Sequence, residues 1–317
     1  MNEHVAVLMG GWSSEREVSL SSGAGVVKAL QDKGYKVTAV DVQRDLDSLI
    51  AALTPRPDVV FNALHGRGGE DGTIQGVLDY MGLPYTHSGV STAAVAMNKS
   101  FTKLIVAREG IPVAKEVLAH RDEVLARDVL PVPYVVKPIN EGSSVGVRIV
   151  HAGSNYRILA EDSWVYGETV MVESYIPGRE LTVGVIGNEA LDVTEIIAAS
   201  GFYDYTAKYA PGGSRHVVPA QIPAEIAQAV RSYALTAHKV LGCTGVSRSD
   251  FRWDDSLPGM SGLIFLELNT QPGLTPTSLL PEQAAVRGMN YADLCAWMVE
   301  DALTRARKAQ KREEVAA

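Results

Sequence analysis

The sequence predicts an α/β protein made of more than one packed unit, and three observations carry that expectation. Strands and helices alternate through the first hundred residues, which implies a parallel sheet with right-handed crossovers. Further along, apolar runs follow one another across short Gly, Pro and Ser turns, the mark of hairpins in an α+β arrangement. The chain, at 317 residues, is also longer than a single hydrophobic core usually supports.

In chain order, HVAVLMGG is a short apolar strand running into Gly10 and Gly11. A helical pattern from about Val18 to Lys33 follows and stops at Gly34. YKVTAVDV reads as a second strand, LDSLIAAL as a helix and DVVFNAL as a third strand. Ligands of such sheets collect at the carboxyl ends of the strands, and two of those ends carry polar loops, GGWSSEREVS and HGRGGEDGT. The first lacks GxGxxG, so no dinucleotide fingerprint is present. Ser13 or Ser14 can cap the next helix, with Glu17 completing a capping box from Ser14, but Glu15 is left without a structural role. In the second loop His65 directly follows a buried strand, while Asp71 is placed to cap the helix TIQGVLDYMG. STAAVAMNKSFTKLIVAREG reads as helical, with Lys99 most simply a solvated helix charge.

PYVVKPINEGSSVGVRIV is strand, Gly/Ser loop, strand. It is not a P-loop, yet a Gly/Ser hairpin can fold its N–H groups over phosphates. Lys137, in a strand of Tyr and Val, needs an anionic partner. The helical SNYRILAEDSW leads to TVMVESYIPGRELTVGVI, two apolar strands with Glu173 and Glu180 at their polar interruptions. Glu173 lies just before the Tyr175-Ile176 step, as a hinge binding adenine and ribose would need. The stretch from Ser200 to Ala220 is rich in Gly, Pro and Tyr with little periodicity, and reads as a closing lid. A helix from Ala224 to Leu241 follows.

VSRSDF and GLIFLELN then pair as a hairpin across DDSLPGMSG. Period two puts Arg248 and Asp250 on one face, and Glu267 and Asn269 on one face about 7 Å apart. Arg opposite Glu is an ordinary cross-strand pair. Carboxylates and an amide carbonyl are equally the hard oxygen ligands that suit Mg²⁺ held partly by substrate phosphates. Three such oxygens, from Asp250, Glu267 and Asn269, converging before a Gly/Pro/Thr/Ser loop favour a site.

Composition narrows the class. Apolar residues make up 46% and charged ones 21%, ordinary for a soluble globular protein. The net charge of −8 argues against a general nucleic-acid binder. Cys243 and Cys295 have no metal-ligand spacing and fit a reducing cytosol. No signal peptide and no transmembrane run is read in the sequence.

Jointly, GGWSSEREVSL, ALHGRGGEDGTIQG, VVKPINEGSSVGV, ESYIPGRELTV, GFYDYTAKY, SRSDF and LELNTQPGLTPTSL resemble, in content and order over essentially the whole chain, the D-alanine–D-alanine ligases of the ATP-grasp superfamily. The resemblance implies an ATP-grasp fold: an N-terminal parallel α/β substrate domain (1–97), then central (98–183) and C-terminal (184–317) α+β domains clamping ATP. It implies two Mg²⁺ ions, with Mn²⁺ as a substitute, on Asp250, Glu267 and Asn269. Lys99 and Lys137 would contact the phosphates, and Glu173, Tyr175, Ile176 and Glu180 the hinge and ribose. Glu15 would face the ammonium of the first D-alanine, with His65 nearby. Ser143 and Tyr209 would link to Glu15 and pin the lid, and Lys208 would follow the transferred phosphate. Arg248 and the Gly273 N–H would hold the carbonyl oxygen under attack, and Ser278 and the Leu279 N–H the carboxylate of the second D-alanine. A cytoplasmic homodimer making a peptidoglycan precursor is implied as well. One departure is Ser249, where the family usually has an aliphatic residue; alternation turns it away from the metal face. Trp12 and Thr270-Gln271 read as tolerated loop variation.

Overall fold

The computed structural model describes residues 3–142, 146–153, 167–198, 213–275 and 278–316. Ser143, Lys208, Tyr209, the helix expected at SNYRILAEDSW and most of the expected lid lie outside them.

The N-terminal unit holds β1 (His4–Gly10), α1 (Arg16–Asp32), β2 (Lys36–Val42), α2 (Leu46–Ala52), β3 (Val59–Asn62), α3 (Thr73–Tyr80) and α4 (Val90–Met97). Its strands form a parallel sheet in the order β2-β1-β3. Residues 5–9 of β1 and 59–61 of β3 are apolar without a break because both faces of this sheet are covered. The run read as one helical stretch is broken at Asn98, whose extended backbone (ψ 101°) ends α4 and whose side chain caps the next helix, α5 (Lys99–Arg108), by accepting from Phe101 N–H.

β4 (Glu116–His120), α6 (Arg121–Ala126), β5 (Tyr134–Lys137), β6 (Arg148–Val150) and β7 (Thr169–Ser174) follow, the strands forming an antiparallel sheet β4-β7-β5-β6. The last unit contains β8 (Arg179–Ile186), β9 (Glu189–Ala190), β10 (Thr194–Ala198), β11 (Ser214–Val217), α7 (Ala224–Val240), β12 (Val246–Trp253), β13 (Leu263–Asn269), α8 (Leu279–Val286) and α9 (Tyr291–Ala316). Its sheet runs β11-β10-β8-β12-β13, with β9 on β8.

Two features shift the division expected from the sequence. A boundary after residue 183 would cut β8, which pairs with β12 along its whole length. Val106 and Ile111, at and beyond the end of α5, pack into the core of the third sheet beside Phe265, so the central layer starts at Glu116 rather than 98. α9 also returns to the N-terminal unit: Leu294, Met298 and Val299 share a core with Val5, Val7 and Val26.

Candidate active site

A cleft of about 470 Å³ opens where the three units meet. Glu15, His65, Lys99, Arg248, Glu267, Asn269, Gly273, Ser278 and Leu279 all line it, although they are spread over the whole chain. Each reaches it through a local device. Glu15 precedes α1, which starts at Arg16 without a side-chain cap, so the capping box expected from Ser14 and Glu17 is not formed. Ser13 Oγ instead accepts the Glu15 N–H at 3.1 Å and donates to the His65 carbonyl at 2.6 Å, tying the two polar loops together. Gly66 packs against the Glu15 carboxylate: at φ 68° it favours glycine, and a Cβ there would lie 2.8 Å from Glu15 Oε2. His65 is buried, with Nε2 3.1 Å from Ser22 Oγ and Nδ1 3.1 Å from Glu70 Oε1. Asp71 accepts from Gly68 and Thr73 N–H, fixing the loop to the start of α3.

The break at Asn98 aims Lys99 into the cleft, 9% exposed instead of solvated. Its Nζ donates to the Glu141 carbonyl at 2.5 Å and lies 3.3 Å from Glu267 Oε2. On the sheet, Arg248 is opposite Asn269 and Asp250 opposite Glu267, and the next pair is Phe251 with Phe265. Leu266 is therefore the extra residue of a β-bulge. The bulge lets Phe265 turn into the core, where its ring meets Phe251 edge-on at 5.5 Å, while Glu267 faces the cleft.

Arg248 forks onto both oxygens of Asp250, at 2.9 and 2.8 Å, and Thr182 Oγ1 on β8 donates to Asp250 Oδ1 at 2.6 Å. Asn269 Oδ1 accepts the Gln271 N–H at 2.7 Å. Two carboxylates and an amide oxygen on one face, oriented by these neighbours, suit a hard cation such as Mg²⁺ that also draws ligands from phosphates. No cluster of three His, Cys, Asp or Glu residues suited to a metal occurs among the described residues. Ser278 is the N-cap of α8, and its Oγ accepts from Thr275 N–H at 3.0 Å. α8 thus begins at the cleft wall with no side-chain cap on its first turn, and a helix N-terminus is a favourable place for a carboxylate.

Lys137, Glu173, Tyr175, Ile176, Glu180 and Asp250 are not among the residues lining this cavity. Glu173 is 4% exposed, with Lys103 and Lys137 each on one of its oxygens. Burial by itself raises this carboxyl; the Lys137 and Lys103 charges overcome it and hold the group at about 2. In this structure Glu173 is thus a buried counter-ion rather than an open ribose ligand. Tyr175 and Ile176 lie on the connector between β7 and β8. Arg252 secures that connector by donating to the Ile176 and Gly178 carbonyls, at 3.1 and 2.9 Å, and lies 3.4 Å from Glu180.

Lys103, Thr182, Arg252 and Gln271 were not singled out as functional from the sequence. Lys103 follows Lys99 by four residues, one helical turn, and Arg252 continues the Arg248–Asp250 period; both signals were available. Thr182 gave none, because only strand register brings it to Asp250.

Residues 105–300 match the family described as D-ala D-ala ligase C-terminus, and residues 4–52 and 46–88 match D-ala D-ala ligase N-terminus. A D-alanine--D-alanine ligase of Acidiphilium cryptum is 57% identical over 303 residues, covering 96% of this chain and 99% of that one. Another from Cereibacter sphaeroides is 60% identical over 299 residues, covering 94% and 95%. Among solved structures, a D-alanine--D-alanine ligase from Bacillus anthracis complexed with ATP has a TM-score of 0.80 at 27% identity, covering 97% of this chain and 99% of that one.

Proposed function

The chain belongs to the D-alanine–D-alanine ligase family, and from that membership we propose how its cleft performs the family's reaction. The enzyme joins two D-alanine molecules to D-alanyl-D-alanine at the expense of ATP, for peptidoglycan precursor synthesis. The observation that carries the assignment of roles is the meeting of Glu15, Lys99, Glu267, Asn269, Arg248 and Ser278 around one cleft.

Glu15, held against Gly66, receives the ammonium of the first D-alanine, with His65 beside it. A carboxylate oxygen of that D-alanine attacks the γ-phosphorus of ATP, ADP leaves, and a D-alanyl phosphate forms. Phosphoryl transfer asks mainly for positioning and charge neutralisation. Lys99 and Lys137 supply cationic charge to the phosphates, and Lys208, outside the described residues, follows the transferred group. Asp250, Glu267 and Asn269 would hold two Mg²⁺ ions. When bound, these ions neutralise phosphate charge.

The second D-alanine sets its carboxylate on Ser278 and the Leu279 N–H. Its free amine attacks the acyl carbon, the C–O bond to phosphate breaks, and the proton given up by the nitrogen ends on the departing inorganic phosphate. Arg248 and the Gly273 N–H hold the oxyanion of the tetrahedral intermediate, each donor contributing about 3 kcal/mol. Ser143 and Tyr209, also outside the described residues, would close the site through Glu15 and keep water from the acyl phosphate. The family carries two further expectations, a homodimer and a cytoplasmic location.

The test is phosphate release with ATP and Mg²⁺ across D- and L-amino acids and D-hydroxy acids, with product separation. D-alanine alone should support rapid release and yield D-alanyl-D-alanine. Preferential use of D-lactate as acceptor would replace this reading with a depsipeptide ligase.

A further inference from the structure

The loop that carries His65 hangs from buried side-chain amides. Asn62 Nδ2 and Gln75 Nε2 both donate to the Gly69 carbonyl, at 3.0 and 2.8 Å, and Asn62 Oδ1 accepts the Leu64 N–H at 3.2 Å. A third amide arrives from the far end of the chain. Gln271, 1% exposed, donates from Nε2 to the Leu64 carbonyl and accepts from Asn62 Nδ2 at 2.9 Å. Its own main-chain N–H donates to Asn269 Oδ1. One residue therefore grips the amide of the metal-facing set with its backbone and the peptide leading into His65 with its side chain.

We propose that Gln271 is a positioning residue that sets the gap between the first-substrate loop and the phosphate-facing end of β13. The inference rests on the ligase reading and assigns a role to a residue that looked like tolerated loop variation. Attack of a carboxylate on a phosphorus requires the reacting atoms about 3–3.5 Å apart, and a 1 Å misplacement costs about 100-fold. The two partners come from different units of the fold, so their separation must be fixed by a contact across the boundary. A buried amide bonded at both its nitrogen and its oxygen does this with defined direction, which an aliphatic side chain of the same size cannot.

Gln271→Met keeps the volume and removes both side-chain hydrogen bonds, leaving the Leu64 carbonyl and one N–H of the Asn62 amide without a partner, while Asn62 keeps Gly69. The kcat/KM for the first D-alanine should fall about tenfold, chiefly through kcat, while ATP affinity and the KM for the second D-alanine stay within about twofold. Gln271→Asn keeps the amide but is one methylene short, and should give a smaller fall in the same constant. It serves as the test if the Met variant does not fold. An equal shift in all three constants, or a lower melting temperature with the constants unchanged, would make Gln271 a structural staple and overturn the proposal. Wild-type protein that releases no phosphate with D-alanine would instead overturn the ligase reading itself, before any variant is compared.

Discussion

Lys103→Met tests the buried charge cluster under the nucleotide side of the site. The Lys103 ammonium is against Glu173 and 3.6 Å from Glu116, with its side chain 2% exposed and that of Glu173 5%. Lys103 and Lys137 balance Glu116 and Glu173, so the cluster is neutral as it stands. Methionine fills much the same space and leaves one excess negative charge in a dry environment. Removing one partner of a buried pair costs about 3–5 kcal/mol, against about 1 or less for an exposed pair. Glu173 keeps Lys137, so the cost should fall at the lower end, about 3 kcal/mol. Lys137 then serves Glu173 alone and is less available to phosphate, so ATP should bind a few-fold more weakly. Urea unfolding gives the first quantity and ATP titration the second. Neutralising the excess charge in Lys103→Met/Glu116→Gln should recover more than about 1 kcal/mol, because neighbouring sites are not additive. A single-variant cost below about 1 kcal/mol, or losses that simply add in the double variant, would refute the view of this cluster as a mutually dependent unit.

Glu267→Gln removes charge 3.3 Å from Lys99 while keeping size and one oxygen; phosphate release should be lost even at saturating Mg²⁺, with circular dichroism and melting unchanged. An unchanged rate would remove Glu267 from the metal set. Ser249 is fully buried and its Oγ has no hydrogen-bond partner among the described residues. Ser249→Ala should therefore stabilise the protein by about 1 kcal/mol in urea, and a loss of stability would mean the hydroxyl is satisfied in solution. Burial, followed by the nearby His65 and Arg305 charges, pushes His87 down to about 3, well below the unfolded value near 6.5. The unfolded chain then binds the extra proton, so this stability is complete above about pH 6.5 and is lost at about 1.4 kcal/mol per pH unit toward pH 3. His87→Asn, tolerant of the left-handed backbone at φ 70°, should flatten the acid limb of a pH–stability curve. A limb as steep as that of the wild type would show that His87 is not its source.

The sequence by itself determined the family and the order of most of the elements, and it singled out most of the side chains that line the cleft. β12 and β13 were readable because apolar alternation with a turn between is local information, and Arg248, Asp250, Glu267 and Asn269 fall on one face by period two. Glu15 stood out because helix capping accounted for Ser14 and Glu17 and left it without a role, whereas His65, placed directly after a strand, was by itself a weak signal. What the tertiary structure decided is every relation that depends on distant segments or on a break in regularity. The bulge at Leu266 separates Phe265 from Glu267, which simple alternation had put on the same face. The stop at Asn98 turns Lys99 from a surface charge into a cleft cation. α9 closes on the first strands, and Gln271 reaches Leu64 and Asn62 across more than two hundred residues. Glu173 becomes a counter-ion only because Lys103 and Lys137 arrive on either side of it. A side chain's type and periodicity are written in its neighbours along the chain, whereas its charge state and partners are set by whatever folding packs against it.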